Sequence, residues 1–278
     1  MAHASGKHDD LLAIARNIAL SAGDLAKLRR SEGVTVAASK STPVDIVTEA
    51  DRETERFIRA AIAEARPGDG FFGEESDPSA GDSGLNWIVD PIDGTVNFLY
   101  GIPHYAVSIA VVEGGTDPLT WNALAACVVN PASGEVFTAT AGGGAYLHET
   151  PIRVADSVEL SQALVATGFA YDSSMRGRQG QLAADLLPLV RDIRRMGTAS
   201  LDLCAIACGR LNAYYESTLS PWDYAAGALI AREAGAAVKG LGALAASREL
   251  LLAGHPDVVA RLESTLIGLG LESVLPVQ

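Results

Sequence analysis

Between residues 86 and 147 the chain divides into five short apolar runs, 86–90, 105–112, 123–129, 135–140 and 144–147, each bounded by turn-forming residues. Runs of that length and punctuation read as strands. Two helical segments precede them. Leu11, Ile14, Ala15, Ile18, Ala22 and Leu25 recur at spacings of three and four, which predicts a helix over 9–29; Phe57, Ile58, Ala61 and Ile62 predict a second, stopped by Pro67 and Gly68 and carrying Asp51 in its first turn. Consecutive strands after two helices imply an antiparallel sheet covered by those helices. From about residue 164 the pattern alternates: extended at 163–167, 213–216 and 250–253, helical at 182–189, 200–207, 223–234 and 256–267, with Gly209 and Gly235 as helix stops. A composition shift at 149–156 separates two layered subdomains, 1–150 and 151–278, that share one interface.

Of the 278 residues 48% are hydrophobic, enough to bury a sizeable core, and 21 basic against 34 acidic residues give a formal charge of −13. That balance argues against direct binding to nucleic acid, which rests on clustered Lys and Arg; the basic knots, 27–30 and 191–195, read as solvated helix faces. The longest apolar stretch, 105–112, falls far below the ~18 residues of a membrane span. The first ten residues lack the apolar segment of a signal peptide, so the expected compartment is the cytoplasm. Cys127, Cys204 and Cys208 form no C-x-x-C pair and read as small buried residues.

Three acidic motifs stand at strand or helix ends: GEES at 73–76, DPIDGT at 90–95, and WD at 222–223. In the middle motif a buried strand runs into Asp90, Pro91 forces a turn, Asp93 follows, and Gly94 lets the backbone come close to whatever the carboxylates hold. Two like charges at ~4 Å and an effective dielectric near 20 repel by roughly 4 kcal/mol. A convergent set of Glu74, Asp90, Asp93 and Asp223 therefore needs a cation or bound protons. All-oxygen donors without His or Cys favour a hard ion, Mg²⁺ before softer metals. Backbone N–H groups at Gly94 and Thr95 could hold a phosphate, and Mg²⁺ would invert the local sign and admit an anionic ester. Residues 97–101 read as a turn and loop, Trp222 as a core anchor, and His104 as a surface or gate residue.

The motifs KSTPVDIVTEAD, FFGEES, WIVDPIDGTVNF, GTASLDL with GRLNAYYE, and SPWDYAAGALIAREAGA run from Lys40 to Ala236 in one order. With them the chain resembles the inositol monophosphatase family, most closely its bacterial branch. The resemblance implies a layered α-β-α-β-α sandwich, α+β to α/β in class, with an antiparallel sheet in the N-terminal half and a smaller mixed sheet in the C-terminal half. It implies a homodimer, two or three Mg²⁺ ions, inhibition by lithium, and hydrolysis of a small phosphorylated polyol, inositol 1-phosphate, by a metal-activated water. Carried over by residue, Glu74, Asp90 and the Ile92 carbonyl hold the first ion, and Asp90, Asp93 and Asp223 the second. Glu74 and Thr95 position the attacking water, with Asp51 accepting a hydrogen bond from Thr95. Amides of Gly94 and Thr95 hold the phosphate, and Lys40 matches a family lysine near the metal loop. Gly197, Thr198, Ala199 and Glu216, with Asp93 and Asp223, face the alcohol.

The family's usual second glycine is Ala236 here, and the stretch after it is short, which bears on the last sheet edge more than on the metal motifs. Relatives on the same scaffold that cleave histidinol phosphate, fructose 1,6-bisphosphate or 3′-phosphoadenosine phosphates are the alternatives, together with a non-catalytic partner of a transcription complex. A haloacid dehalogenase-type phosphatase needs D-x-D, whereas two residues separate Asp90 from Asp93.

Overall fold

The computed structural model describes residues 2–39 and 46–274. Lys40 lies outside the described residues. In chain order the elements are α1 (Ala2–Glu32), β1 (Val36–Ser39), β2 (Ile46–Thr48), α2 (Glu49–Ala65), β3 (Gly70–Gly73), β4 (Leu85–Asp93), α3 (Thr95–Tyr100), β5 (Ala106–Glu113), β6 (Asn122–Asn130), β7 (Glu135–Thr140), β8 (Gly144–Leu147) and β9 (Thr150–Pro151). They continue with β10 (Leu164–Thr167), α4 (Ser173–Leu186), β11 (Asp192–Arg194), α5 (Ala199–Ala207), β12 (Ala213–Glu216), α6 (Pro221–Glu233), β13 (Ala237–Lys239), β14 (Leu251–Gly254) and α7 (Pro256–Gly268).

Among the described residues a seven-stranded sheet runs β3-β4-β5-β6-β7-β8-β9 and a five-stranded sheet runs β11-β10-β12-β14-β13. The first is antiparallel except at its edge, where β3 lies parallel to β4. That strand has only four residues, two of them glycine, and gives little periodic signal. The second sheet is mixed, β12 pairing parallel with β10 and antiparallel with β14. β13, just beyond Ala236, forms its outer edge.

Both faces of the large sheet are covered, and the side-chain alternation of the strands sorts them. Trp87, Val89, Val107, Ile109, Val111 and Cys127 pack against Leu11, Ala15, Ile18, Ile58 and Ile62 of α1 and α2. Ile88, Ala110, Val112, Ala126 and Val128 pack against Leu203, Ile206, Ala226 and Ile230 of α5 and α6. The far face of the small sheet, with Val165, Ala213 and Leu252, receives Leu182 and Leu186 of α4 and Val258, Leu262 and Leu266 of α7. The result is a five-layer α-β-α-β-α sandwich with α5 and α6 in the middle. Strands apolar on both faces suit this burial, and at about 25 cal/mol per Å² it is the main stabilising term.

Three local readings need correction. Pro91 does not turn the chain: β4 runs through to Asp93 with a bulge, since Asp90 pairs with Ser108 but Asp93 with Ala106. Proline has no N–H for the ladder, so an irregularity here costs little. Residues 97–100 belong to the helix α3 rather than to a turn and loop, with Gly101 as its C-cap, and the basic knot at 191–195 falls on the edge strand β11 and its flanks instead of a helix face.

Candidate functional site

Asp90 and Asp93 are three residues apart, an odd separation that would place them on opposite faces of a regular strand. The β4 bulge inserts one extra residue against β5, so Asp93, opposite Ala106, shares the face of Asp90. That face looks towards α5 and α6. Asp90 Oδ1 accepts the Ile92 N–H at 3.1 Å. Asp93 Oδ2 accepts both the N–H and the hydroxyl of Ser200, at 2.8 and 2.5 Å, across the boundary between the two halves. At the start of α6, where Pro221 is well tolerated, Asp223 Oδ2 accepts the Ser220 N–H at 2.6 Å.

Asp51 is fixed by the same local chemistry at the start of α2, where it and Thr48 form a reciprocal capping box. Its Oδ2 takes the Thr48 N–H at 2.8 Å and the Thr48 hydroxyl; its Oδ1 takes the Thr95 hydroxyl at 3.1 Å. Thr95 Oγ1 also stands 3.2 Å from the Ile92 carbonyl oxygen. Glu74 follows β3 into the cleft wall, and its loop is tied to α2 by the Glu75 N–H, which donates to the buried Glu55 at 2.7 Å.

Gly94 precedes α3 at φ 91°, a conformation natural to glycine. A Cβ there would stand 2.4 Å from Thr198 Oγ1, so the absence of a side chain lets β4 meet the loop before α5. The same joint is stapled by Asn97, whose Nδ2 donates to the His104 and Met196 carbonyls, each at 2.8 Å. Thr198 donates to the His104 carbonyl at 3.0 Å, and the His104 ring is half-buried with no hydrogen-bond partner for Nε2 among the described residues.

Together these elements line a cleft of about 1070 Å³. Glu74, Asp90, Ile92, Asp93, Gly94 and Thr95 line one side, Gly197, Thr198, Ala199, Glu216 and Asp223 the other. Every sequence-derived site residue within the described chain lines the cleft, apart from Asp51, which reaches it through Thr95. Trp222 also lines it, half-buried, edge-on to Phe72 at 5.2 Å and packed against the middle-layer core, so it anchors to the core while forming part of the wall. The sequence reading missed Ser200, Asn97, Glu55 and Asp202. Glu55, four residues after Asp51, shares its helix face, the one available signal for it; Asp202, buried with Oδ1 unbonded, gave none.

The electrostatics are those of crowded acids. Desolvation pushes Asp51 up to about 7, against which the Thr48 hydrogen bonds act, and it pushes Asp93 up to about 7, helped by the charges of Glu74 and Glu216. Asp223 rises well above the ordinary carboxylate range through desolvation and then the charges of Glu74 and Asp93. Glu216 rises to about 7, chiefly by desolvation. Neither Asp93 nor Asp223 has a Lys or Arg ion-pair partner among the described residues. Among the described residues each uses one oxygen on a serine and accepts no other hydrogen bond. The donor chemistry therefore fits a hard divalent cation. As placed, the described side chains form no group of three His, Cys, Asp or Glu that could hold an ion; the fold supplies the donors around one cleft.

A layered α/β chain with a carboxylate-lined cleft between its sheets belongs to a recognisable class, and the family model for the inositol monophosphatase family matches residues 7–263. The chain belongs to that family and is a phosphatase. An inositol-1-monophosphatase of Mycobacterium bovis is 45% identical over 246 residues, 82% of this chain and 83% of that protein. The crystal structure of the extragenic suppressor protein suhB from Bartonella henselae matches with a TM-score of 0.85 at 35% identity, covering 92% of this chain and 98% of that one. A protein named Nus factor SuhB from Xylella fastidiosa is 39% identical over 218 residues, 78% of this chain and 77% of its own. Among the described residues no helix is long and apolar enough to cross a membrane.

Proposed function

We propose that the protein hydrolyses the phosphomonoester of a small polyol, inositol 1-phosphate foremost, with two or three Mg²⁺ ions as cofactor. The observation that carries this reading is the meeting, in one cleft, of the Asp51-bonded Thr95, the carboxylates Asp93 and Asp223, and Glu216. Glu74, Asp90 and the Ile92 carbonyl would hold one ion, and Asp90, Asp93 and Asp223 a second. When bound, Mg²⁺ supplies a water of lowered pKa, near ~7, and offsets the phosphate charge. Thr95 and Glu74 orient that water. Because Asp51 takes the Thr95 hydroxyl hydrogen, the Thr95 oxygen faces the water as acceptor, and Asp51 is the carboxylate placed behind it to act as base. The amides of Gly94 and Thr95, at the open start of α3, bind the phosphate oxygens. Residues 197–199 and Glu216, with Asp93 and Asp223, bind the alcohol.

In this reading residues 1–150 supply most of the metal end and residues 151–278 the alcohol end together with Asp223. The enzyme works in the cytoplasm as a homodimer, and lithium inhibits it by occupying a Mg²⁺ position without completing the charge. The test is Mg²⁺-dependent phosphate release from inositol 1-phosphate, fructose 1,6-bisphosphate, histidinol phosphate and 3′-phosphoadenosine 5′-phosphate. A lead of about tenfold for inositol 1-phosphate, some 1.4 kcal/mol in transition-state stabilisation, supports the assignment; a lead for another ester moves it.

A second reading draws on the relative named Nus factor SuhB: a partner of a transcription complex, reached through protein contacts rather than through nucleic acid. Co-purification of transcription proteins with an Asp93→Asn variant, from a lysate where the enzyme has no turnover, would support that role; their absence would leave the phosphatase reading alone.

A further inference from the structure

The side chain that would read the alcohol is held in an unusual seat. β12 lies between β10 and β14, and its register with β10 pairs Thr167 with Tyr215, which brings Gly168 beside Glu216. A Cβ on Gly168 would stand 2.1 Å from the Glu216 carboxyl carbon and from both its oxygens. The carboxylate therefore rests on the bare Cα of Gly168, where a side chain would push it aside. Two residues back on the same face of β12 is Tyr214, with no exposed surface, whose hydroxyl donates to Glu216 Oε2 at 2.5 Å. Among the described residues Oε1 accepts no hydrogen bond, and Glu216 lines the cleft.

A phenol has one proton, and facing a carboxylate it can only donate it. With Oε2 pinned by Tyr214 and the carboxyl plane pressed on Gly168, Oε1 is left as an acceptor of settled position. A carboxylate free to rotate would accept hydroxyls from many directions; a pinned one selects an alcohol whose hydroxyl arrives at one place. Leaving a buried acceptor unmatched is what makes such a site reject the wrong alcohol. We infer that Tyr214, acting through Glu216 and against Gly168, is the specificity-determining positioning residue for the hydroxyl-bearing leaving group. This rests on the polyol reading above.

Steady-state kinetics of Tyr214→Phe, Glu216→Gln and the double variant, each with saturating Mg²⁺, test it on inositol 1-phosphate and on p-nitrophenyl phosphate, which offers no alcohol hydroxyl. KM for inositol 1-phosphate should rise about tenfold in Tyr214→Phe, the scale of one hydrogen bond to a charged group, with kcat within about twofold of wild type. In Tyr214→Phe the p-nitrophenyl phosphate constants should stay put, and the double variant should be no worse than Glu216→Gln alone. An unchanged KM, an equal loss on both substrates, or additive effects would each overturn the inference. Should Tyr214→Phe not fold, Gly168→Ala keeps the phenol but displaces the carboxylate, and must produce the same KM split. Wild-type enzyme silent on inositol 1-phosphate but active on another polyol ester ends the inositol assignment, and the split measured on that ester still decides Tyr214. A Glu216→Gln defect with Tyr214→Phe silent sinks this inference alone.

Discussion

The two ends of the cleft are held by different means. At the acidic end most carboxylates are fixed by amides within a few residues of themselves: Asp51 by Thr48, Asp90 by Ile92, Asp223 by Ser220. At the alcohol end Glu216 is pressed on Gly168 of a neighbouring strand, in a pairing that only sheet register creates. Asp93 belongs to both, standing on the first sheet yet bonded twice to Ser200 of α5. Turn and cap chemistry can be carried by a short motif, so an acidic end built this way tolerates change elsewhere in the fold. An alcohol end built by register can change its substrate through residues that never touch it.

Removing the charge that this crowding organises is the largest break available. Asp93→Asn and Asp223→Asn should each lower kcat by about a thousandfold or more, roughly 4 kcal/mol of lost electrostatic stabilisation. Both should still melt cooperatively, because one uncompensated acid has gone. Phosphate release and thermal unfolding measured side by side check the pair, and near-normal turnover in Asp93→Asn would remove it from the site.

A smaller break targets the residue that joins the two ends. Ser200→Ala deletes the hydroxyl bond to Asp93 and keeps the amide, so Mg²⁺ affinity should weaken by about 10–100-fold, as for other residues that orient a ligand. Calorimetric titration with Mg²⁺ reads this directly, and unchanged affinity would make Ser200 a packing residue.

The smallest effect sharpens the comparison without mutation. Asp51 and Asp93, from an ordinary 3.8, and Glu216, from 4.5, all rise to about 7 in the fold. Between pH about 4 and about 7 the folded protein thus binds more protons than the unfolded chain, and stability must fall as pH rises through that window. Metal-free protein should lose several degrees in Tm over it, on the ~2–4 °C per kcal/mol scale for a chain of this size. Added Mg²⁺ should restore Tm at pH 7 more than at pH 5, since it binds the charged form. A Tm rising from pH 5 to pH 7 without metal would contradict the crowded-acid description.

Much of the architecture was legible where periodicity was strong. β7, β8 and β12 fall on the residues that the apolar runs mark, and α6 and α7 begin within a few residues of their expected starts. The elements that escaped have little pattern to read: the short strands β1, β2 and β9, β3 with two glycines in four residues, the three-residue edge strands β11 and β13, α3, whose six residues contain no full amphipathic repeat, and the polar first half of α4, which begins at Ser173 rather than at 182. For the site, DPIDGT and WD pointed to the acids through residue type and spacing. They did not reveal that Pro91 sits in a bulge, nor that Ser200, Glu55 and Tyr214 hold the acids and Glu216, because a serine, a helical glutamate or a strand tyrosine is common anywhere.

The strongly periodic elements, the donor chemistry and the local seats of Asp51, Asp90 and Asp223 are thus written in the sequence, since caps and turns depend on neighbours a few residues away. Only the tertiary structure decided that Asp90 and Asp93 share a face, through the bulge against β5, and that Ser200 reaches Asp93 from the other half of the chain. It also decided that Glu216 lies on Gly168, because that approach comes from the register between β12 and β10 within the small sheet, and no local signal in a chain encodes which distant backbone will lie beneath a side chain.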